Sequence, residues 1–320
     1  MKRKQLGSLL FLLFMVGCAS AQESNIKSIN RPNASPKSVD RIRNDSQKTD
    51  LNEQIERIAE NSGGRVGVAA AILETGETVF SNSRDRFPMQ SVYKLPIGMA
   101  VLSQVDAGKI KLNQKLRIEK ADILKTSRIL TVENYRNGTE QTIEELLRLM
   151  VSESDNTASD ALLKLVGGPD SVMQFLNKNR ISGIEVANYE KEFAGNSKVQ
   201  YNNWATPEAA VELLRALHEA RGLSQRSRSL LLKFMTDSPT GPRRLKWLLT
   251  KDAIVAHKTG TSGTKNGLTA ATNDIGIITL PSGRHLAIAV FVSDSRADEA
   301  AREETIAKIA RAVWDHWSNK

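Results

Sequence analysis

Three short motifs in this sequence carry side chains suited to covalent chemistry. The first is Ser91-Val92-Tyr93-Lys94, which follows Phe87-Pro88-Met89-Gln90 and opens an apolar helical stretch to about Val105. Residues three apart share one face of a helix, so the Ser91 hydroxyl and the Lys94 amine can meet. A serine at its free pKa is a poor nucleophile and needs an adjacent base. A desolvated lysine among other cations can lose its proton and become that base. Ser24-x-x-Lys27 and Ser262-x-x-Lys265 have the same spacing, so this pattern alone decides nothing. Ser154-Asp155-Asn156 and Lys258-Thr259-Gly260 each occur once, the former between two helical segments and the latter ending the apolar run Ile254–Ala256.

The elements that must position these motifs follow from capping signals and periodicity. Asp50 with Glu53 marks a helix over about 51–61, with Leu51, Ile55, Ile58 and Ala59 on one face. Val66 to Leu73 and Thr78 to Phe80 flank Glu74-Thr75-Gly76-Glu77 as a hairpin. From about 90 to 235 the signals are almost all helical, with Thr142 and Glu145 as a capping box, Asp170 as a cap, and Pro207 at a first helical position. Strand signals return at 254–257, 274–280 and 285–293, and an amphipathic helix covers about 297–317. The pattern predicts an α/β fold of sandwich type. An antiparallel sheet is built from both termini and flanked by helices, and a helical lobe is inserted between its halves.

Composition removes several function classes. The 320 residues hold 45 Lys+Arg against 36 Asp+Glu, a formal charge of +9. Nine of the basic and four of the acidic groups lie in residues 1–50, so the rest of the chain carries only +4, and no nucleic-acid partner is expected. The single cysteine excludes an intrachain disulfide framework. His218, His257, His285 and His316 lack metal-ligand spacing in sequence, so neither a metal nor an organic cofactor is expected.

Residues 1–21 read as an export signal: Lys2, Arg3 and Lys4, then the apolar run Leu9–Val16, then small residues. Two processing readings compete. Ala19-Ser20-Ala21 fits ordinary cleavage before Gln22, whereas Met15-Val16-Gly17-Cys18 resembles a bacterial lipobox that would lipidate Cys18. Residues 22–49, polar and with few large apolar groups, read as a disordered linker or tether. A folded domain over 50–320 is expected, with its α/β lobe at about 50–90 and 250–320 and its helical lobe at about 91–249.

In the order Ser-x-x-Lys, Ser-Asp-Asn, Lys-Thr-Gly, with Phe87-Pro88-Met89-Gln90 and Thr261-Ser262-Gly263 as flanks, residues 51–317 resemble the class A serine β-lactamases. The resemblance implies hydrolysis of a strained cyclic amide through a serine acyl-enzyme. In it Ser91 attacks, the backbone N–H groups of Ser91 and Thr261 form the oxyanion hole, and Ser154, bonded between Lys94 and Lys258, relays a proton to the ring nitrogen. Lys258, Thr259 and Thr261 hold the drug's carboxylate, Asn156 binds its acylamino group, and Asp155 buttresses the backbone. Arg244 is either a second carboxylate donor or a surface charge. A small-molecule β-lactam is the implied partner, met by a monomer that is periplasmic and touches membrane only through an N-terminal lipid.

Deacylation needs a base, which the family takes from a loop between the second and third motifs. Val186-Ala187-Asn188-Tyr189-Glu190-Lys191-Glu192-Phe193 offers Glu190 and Glu192, and Glu190, with Phe193 three residues on, fits the family pattern better. The loop departs from that pattern at Lys191 and Ala194, and at Asn188 and Asn203, which replace an Arg–Asp pair and are expected to bridge by an amide hydrogen bond. These departures and His257 resemble a divergent branch containing extended-spectrum cephalosporinases. Two other classes share the three motifs: a penicillin-binding D,D-peptidase or transpeptidase, and a β-lactam sensor that acylates and stops.

Overall fold

Sheet register explains why the terminal strands read as unbroken apolar runs. A computed structural model describes residues 50–193 and 198–318. Helix α1 (50–60) leads into β1 (Arg65–Ile72) and β2 (Thr78–Ser81), and β10 (Leu268–Thr279) and β11 (His285–Ser295) return late in the chain. With β8 (Val255–Thr261) they form an antiparallel sheet in the order β2-β1-β11-β10-β8, and β9 (Thr264–Lys265) pairs with β10. Both faces are covered, so alternate residues serve two cores. Val68, Ala70, Ile288 and Val290 pack with Leu51 and Ile55 of α1 and Ile306, Val313 and Trp317 of α8 (Glu299–Ser318). Ala69, Ala71, Ala287, Ala289 and Phe291 face the inserted helices.

Those helices are α2 (Lys94–Asp106), α3 (Ile143–Val151), α4 (Asn156–Leu165), α5 (Pro169–Lys178), α6 (Pro207–His218) and α7 (Gln225–Thr236). Helix α2 is buried along Lys94–Leu102, the central rod around which the others pack, which is why its sequence is apolar on all sides. Short strands connect the insertion: β3 (Phe87–Pro88), β7 (Trp204–Ala205) and β6 (Ile184–Glu185) form one small sheet, and β4 (Lys115–Ile118) pairs with β5 (Thr139–Thr142).

The caps expected inside the helical lobe need two adjustments. Thr142 accepts from the Glu145 N–H, but the Glu145 carboxylate turns to Arg148 instead of closing the box. Helix α5 starts from Gly168 at φ 83°, with Pro169 at the first helical position, so Asp170 lies inside the first turn and is not the cap. Strand β10 begins at Leu268, earlier than its apolar signal, because Thr269, Thr272, Asn273 and Asp274 are polar yet buried.

Candidate active site

Ser91 sits in a 3-10 turn, Gln90–Tyr93, that runs directly into α2. Gln90, the turn's first residue, adopts φ 48°, a left-handed conformation costly for a residue with a side chain. Three ties fix it: Asn273 Nδ2 donates to the carbonyls of Pro88 at 2.8 Å and Met89 at 3.1 Å, and Met89 N donates to Asn203 O at 2.8 Å. Strand β8 approaches so closely that a Cβ on Gly260 would lie 2.2 Å from Met89 O. Glycine in the Lys-Thr-Gly motif is therefore a packing requirement that brings β8 against the serine turn.

Lys94, fully buried, gathers the site. Its Nζ donates to Ser91 Oγ at 3.0 Å, Ser154 O at 2.9 Å and Asn156 Oδ1 at 2.5 Å. An ammonium has three protons, and these acceptors use all of them. Glu190 Oε1 stands 3.1 Å from the same nitrogen as an ion pair without hydrogen-bond alignment. Lys258 Nζ, also buried, donates to Ser154 Oγ at 2.9 Å and Thr259 O at 3.2 Å. Burial, and next the Lys94 charge, pushes the Lys258 ammonium well below the ordinary lysine range. The expected bridge through Ser154 is thus divided: Lys94 holds its carbonyl and Lys258 its hydroxyl. Ser154 pays for this with φ 60°.

Ser91, Ser154, Asn156, Thr259 and Thr261 line one cleft of about 180 Å³, together with Thr126 and Arg128. The last two carry no motif and were not legible in sequence. Asp155 places their segment: one carboxylate oxygen accepts from the N–H groups of Arg128, Ile129 and Leu130 at 2.8–3.1 Å, and the other caps α4 at Ala158. Its buttressing role is as expected, and Asn156 Nδ2 donates to Thr126 Oγ1 at 2.9 Å.

Arg244 is not a surface charge. It is buried, donating to Glu303 at 3.0 Å, to the carbonyls of Gly260 and Asn273 at 3.3 and 3.0 Å, and to Thr261 Oγ1 at 2.8 Å. Four of its five N–H groups are thereby engaged, leaving one for a ligand. Its main effect is to fix the end of β8 and orient Thr261. Thr259 is fixed similarly, by Thr240 Oγ1 at 2.8 Å, in a buried hydroxyl chain running through Ser238 to Ser152 O. Behind Lys258, on the opposite face of β8, His257 Nδ1 meets both oxygens of Asp274 at 2.9–3.0 Å, and Asp274 also accepts from Leu245 N.

On the other side of the cleft the loop glutamates separate. Glu192 Oε2 accepts from Tyr189 N at 2.7 Å, closing its own turn, while buried Glu190 faces Lys94. Asp160 holds that turn, accepting from Glu190 N at 2.7 Å and Lys191 N at 3.0 Å. Burial pushes Asp160 up to about 6, against the pull of those two hydrogen bonds. Sequence reading missed Asp160, although it lies one helical turn beyond Asn156. Asn203 closes the loop neck. Its Oδ1 accepts from Ala187 N at 2.7 Å and Asn188 N at 2.9 Å, and its Nδ2 donates to Asn188 O at 3.0 Å. The expected Asn188–Asn203 bridge forms, but through the Asn188 backbone; the Asn188 side chain instead accepts from Asn202 Nδ2, at 3.0 Å. Ala194 and Cys18 lie outside the described residues.

Comparison with known proteins agrees with this geometry. The sequence pattern of the beta-lactamase enzyme family matches residues 50–317. Beta-lactamase VEB-1 of Pseudomonas aeruginosa is 42% identical over 281 residues, covering 87% of this chain and 94% of the relative. Extended-spectrum beta-lactamase PER-1 of the same organism is 42% identical over 266 residues, covering 82% and 86%. The solved structure of a beta-lactamase from Chitinophaga pinensis DSM 2588 superposes with a TM-score of 0.81 at 46% identity, covering 83% of this chain and 98% of that one. Ser91 bonded by a buried lysine, Ser154 bonded by a second, a carboxylate facing the first, and these relatives along nearly the whole folded chain lead to one conclusion: the chain belongs to the beta-lactamase enzyme family, among its class A serine members.

Proposed function

We propose that the enzyme opens β-lactams with Ser91 as nucleophile and clears the acyl-enzyme with Glu190. The observation that carries this reading is Lys94 Nζ, placed 3.0 Å from Ser91 Oγ and 3.1 Å from Glu190 Oε1. With all three protons committed, Lys94 becomes a base by releasing one, and Glu190 is the carboxylate placed to take it. It then takes the Ser91 proton as Oγ bonds to the lactam carbonyl carbon. The C–N bond breaks, and the ring nitrogen takes the Ser154 hydroxyl proton, replaced from Lys258, whose lowered proton affinity suits that transfer. Before the second half, net transfer of the Glu190 proton to the neutral Lys258 amine restores both groups. Glu190 then accepts a proton from water, the resulting hydroxide attacks the ester carbonyl, and Ser91 leaves with that proton returned from Glu190 through Lys94.

Thr259, Thr261 and Lys258 receive the substrate carboxylate, Arg244 contributes by holding Thr261 with one N–H to spare, and Asn156 receives the acylamino group. The relatives include an extended-spectrum enzyme, and we propose late cephalosporins within the substrate range. The signal features of residues 1–21 support export to the periplasm, with the 22–49 segment as tether and Cys18 as the lipid attachment point. Nitrocefin supplied in excess should be turned over continuously by the wild type and not acylate Ser91→Ala at all. A single stoichiometric burst from the wild type would instead fit a peptidase or a sensor.

A further inference from the structure

Glu74, His218 and His285 are distant in sequence, but the fold brings one ligand atom of each within 4.8 Å of the others. Glu74 lies in the turn after β1, His285 begins β11, and His218 ends α6. The cluster is built, not incidental. Both Glu74 oxygens accept from His285 N, at 3.1 and 2.9 Å, and Glu74 Oε1 meets His285 Nδ1 at 2.6 Å. Arg215, one turn before His218, donates to Leu73 O at 3.1 Å and pins the helix end beside the carboxylate. The two imidazole rings lie 4.5 Å apart between centroids.

We propose that these three residues bind a first-row divalent transition metal, Zn²⁺ being the natural probe. Two imidazoles and one carboxylate are a common zinc donor set, with water completing the tetrahedron. Tetrahedral ligand atoms around zinc stand roughly 3.4 Å apart, so side-chain rotations close the remaining gap. The C-terminal end of α6 adds the partial negative charge of its last carbonyls. The site is separate from the catalytic cleft: Lys258 pairs through Ile275 with Ala289, and His285 lies four residues further along β11, roughly 14 Å. The metal would clamp the end of α6 to the sheet without taking part in β-lactam chemistry.

The test uses the full, untagged chain freed of metal by chelation. At a hundredfold excess of Zn²⁺ over Kd, Tm should rise by roughly 5–10 °C. Co²⁺ should give visible absorption bands of a histidine-ligated ion. Both signals should disappear in His218→Gln, which keeps wild-type nitrocefin turnover and so reports that it is folded. A flat Tm response in the wild type overturns the proposal. So does a zinc shift that persists in His218→Gln, since the metal would then sit on other groups such as Cys18 or His316.

Discussion

The two walls of the catalytic cleft are held by different physics. The sheet wall, carrying Lys258, Thr259 and Thr261, is positioned by ladder register with β10, by close packing at Gly260, and by buried Arg244 with Glu303. The loop wall, carrying Glu190, has no ladder at that residue. It is held chiefly by two side chains that bond its backbone, Asp160 at 190–191 and Asn203 at 187–188. In the proposed mechanism, acylation therefore depends on a wall that resists small perturbation. Deacylation depends on a few polar contacts, each removable without disturbing the sheet.

Perturbing either wall should break a different half-reaction. On the sheet wall, Lys258→Ala removes the donor to Ser154 Oγ and should slow acylation by roughly 10²–10⁴-fold, read as the nitrocefin burst rate. Arg244→Ala leaves the mostly buried Glu303 carboxylate unpaired. Its cost of about 3–5 kcal/mol should appear as a lower denaturant midpoint, with a raised KM because Thr261 loses its anchor. On the loop wall, Asn203→Ala exposes two amide groups and a carbonyl to an unmet demand, each worth about 1–3 kcal/mol if no water replaces the bond. Steady-state turnover should fall while the burst rate stays, and an equal loss in both would show the walls are not independent.

The smallest effect is in pH. Asp160 has a folded pKa of about 6, above its ordinary value of 3.8. As pH falls through about 6 the folded protein gains a proton there that the unfolded chain does not hold. This group therefore favours folding between pH 6 and 4 and does not by itself drive acid unfolding. Protonation does weaken one of its two acceptors for the loop, so kcat should decline several-fold across pH 6 while this group's contribution to stability rises. In Asp160→Asn this limb should vanish from a lowered plateau. A limb at the same pH in both would point to another group.

The same contrast decides what the sequence made legible. Ser91, Lys94, Ser154, Asn156, Lys258 and Thr259 are readable because each needs its own residue type at a fixed spacing on a regular element, and the sheet follows from period and capping. Arg244 was half legible: one of its two readings put it at the substrate carboxylate, but burial against Glu303 depends on α8, far away in sequence. Asp160 and Arg128 carried no signal because their roles are set by where a loop crosses a helix, which no local pattern encodes. Asn203 was singled out with Asn188, but its carboxamide takes the backbone groups of 187–188 and not the Asn188 side chain, since a carboxamide satisfies backbone groups as readily as another side chain. Glu74, His218 and His285 were invisible for the same reason, three elements converging without any motif.

The division of labour between the walls requires Glu190 to belong to the second half-reaction. Glu190→Ala removes the carboxylate facing Lys94 but leaves Lys94 at Ser91, so acylation should continue with the Lys94 proton lost to solvent. Intact mass spectrometry of Glu190→Ala mixed with a cephalosporin should show the acyl adduct on Ser91 accumulating to one equivalent, with its hydrolysis slowed by at least about 10²-fold. Wild-type turnover by this variant, with no adduct trapped, would contradict the assignment and the division of labour between the two walls.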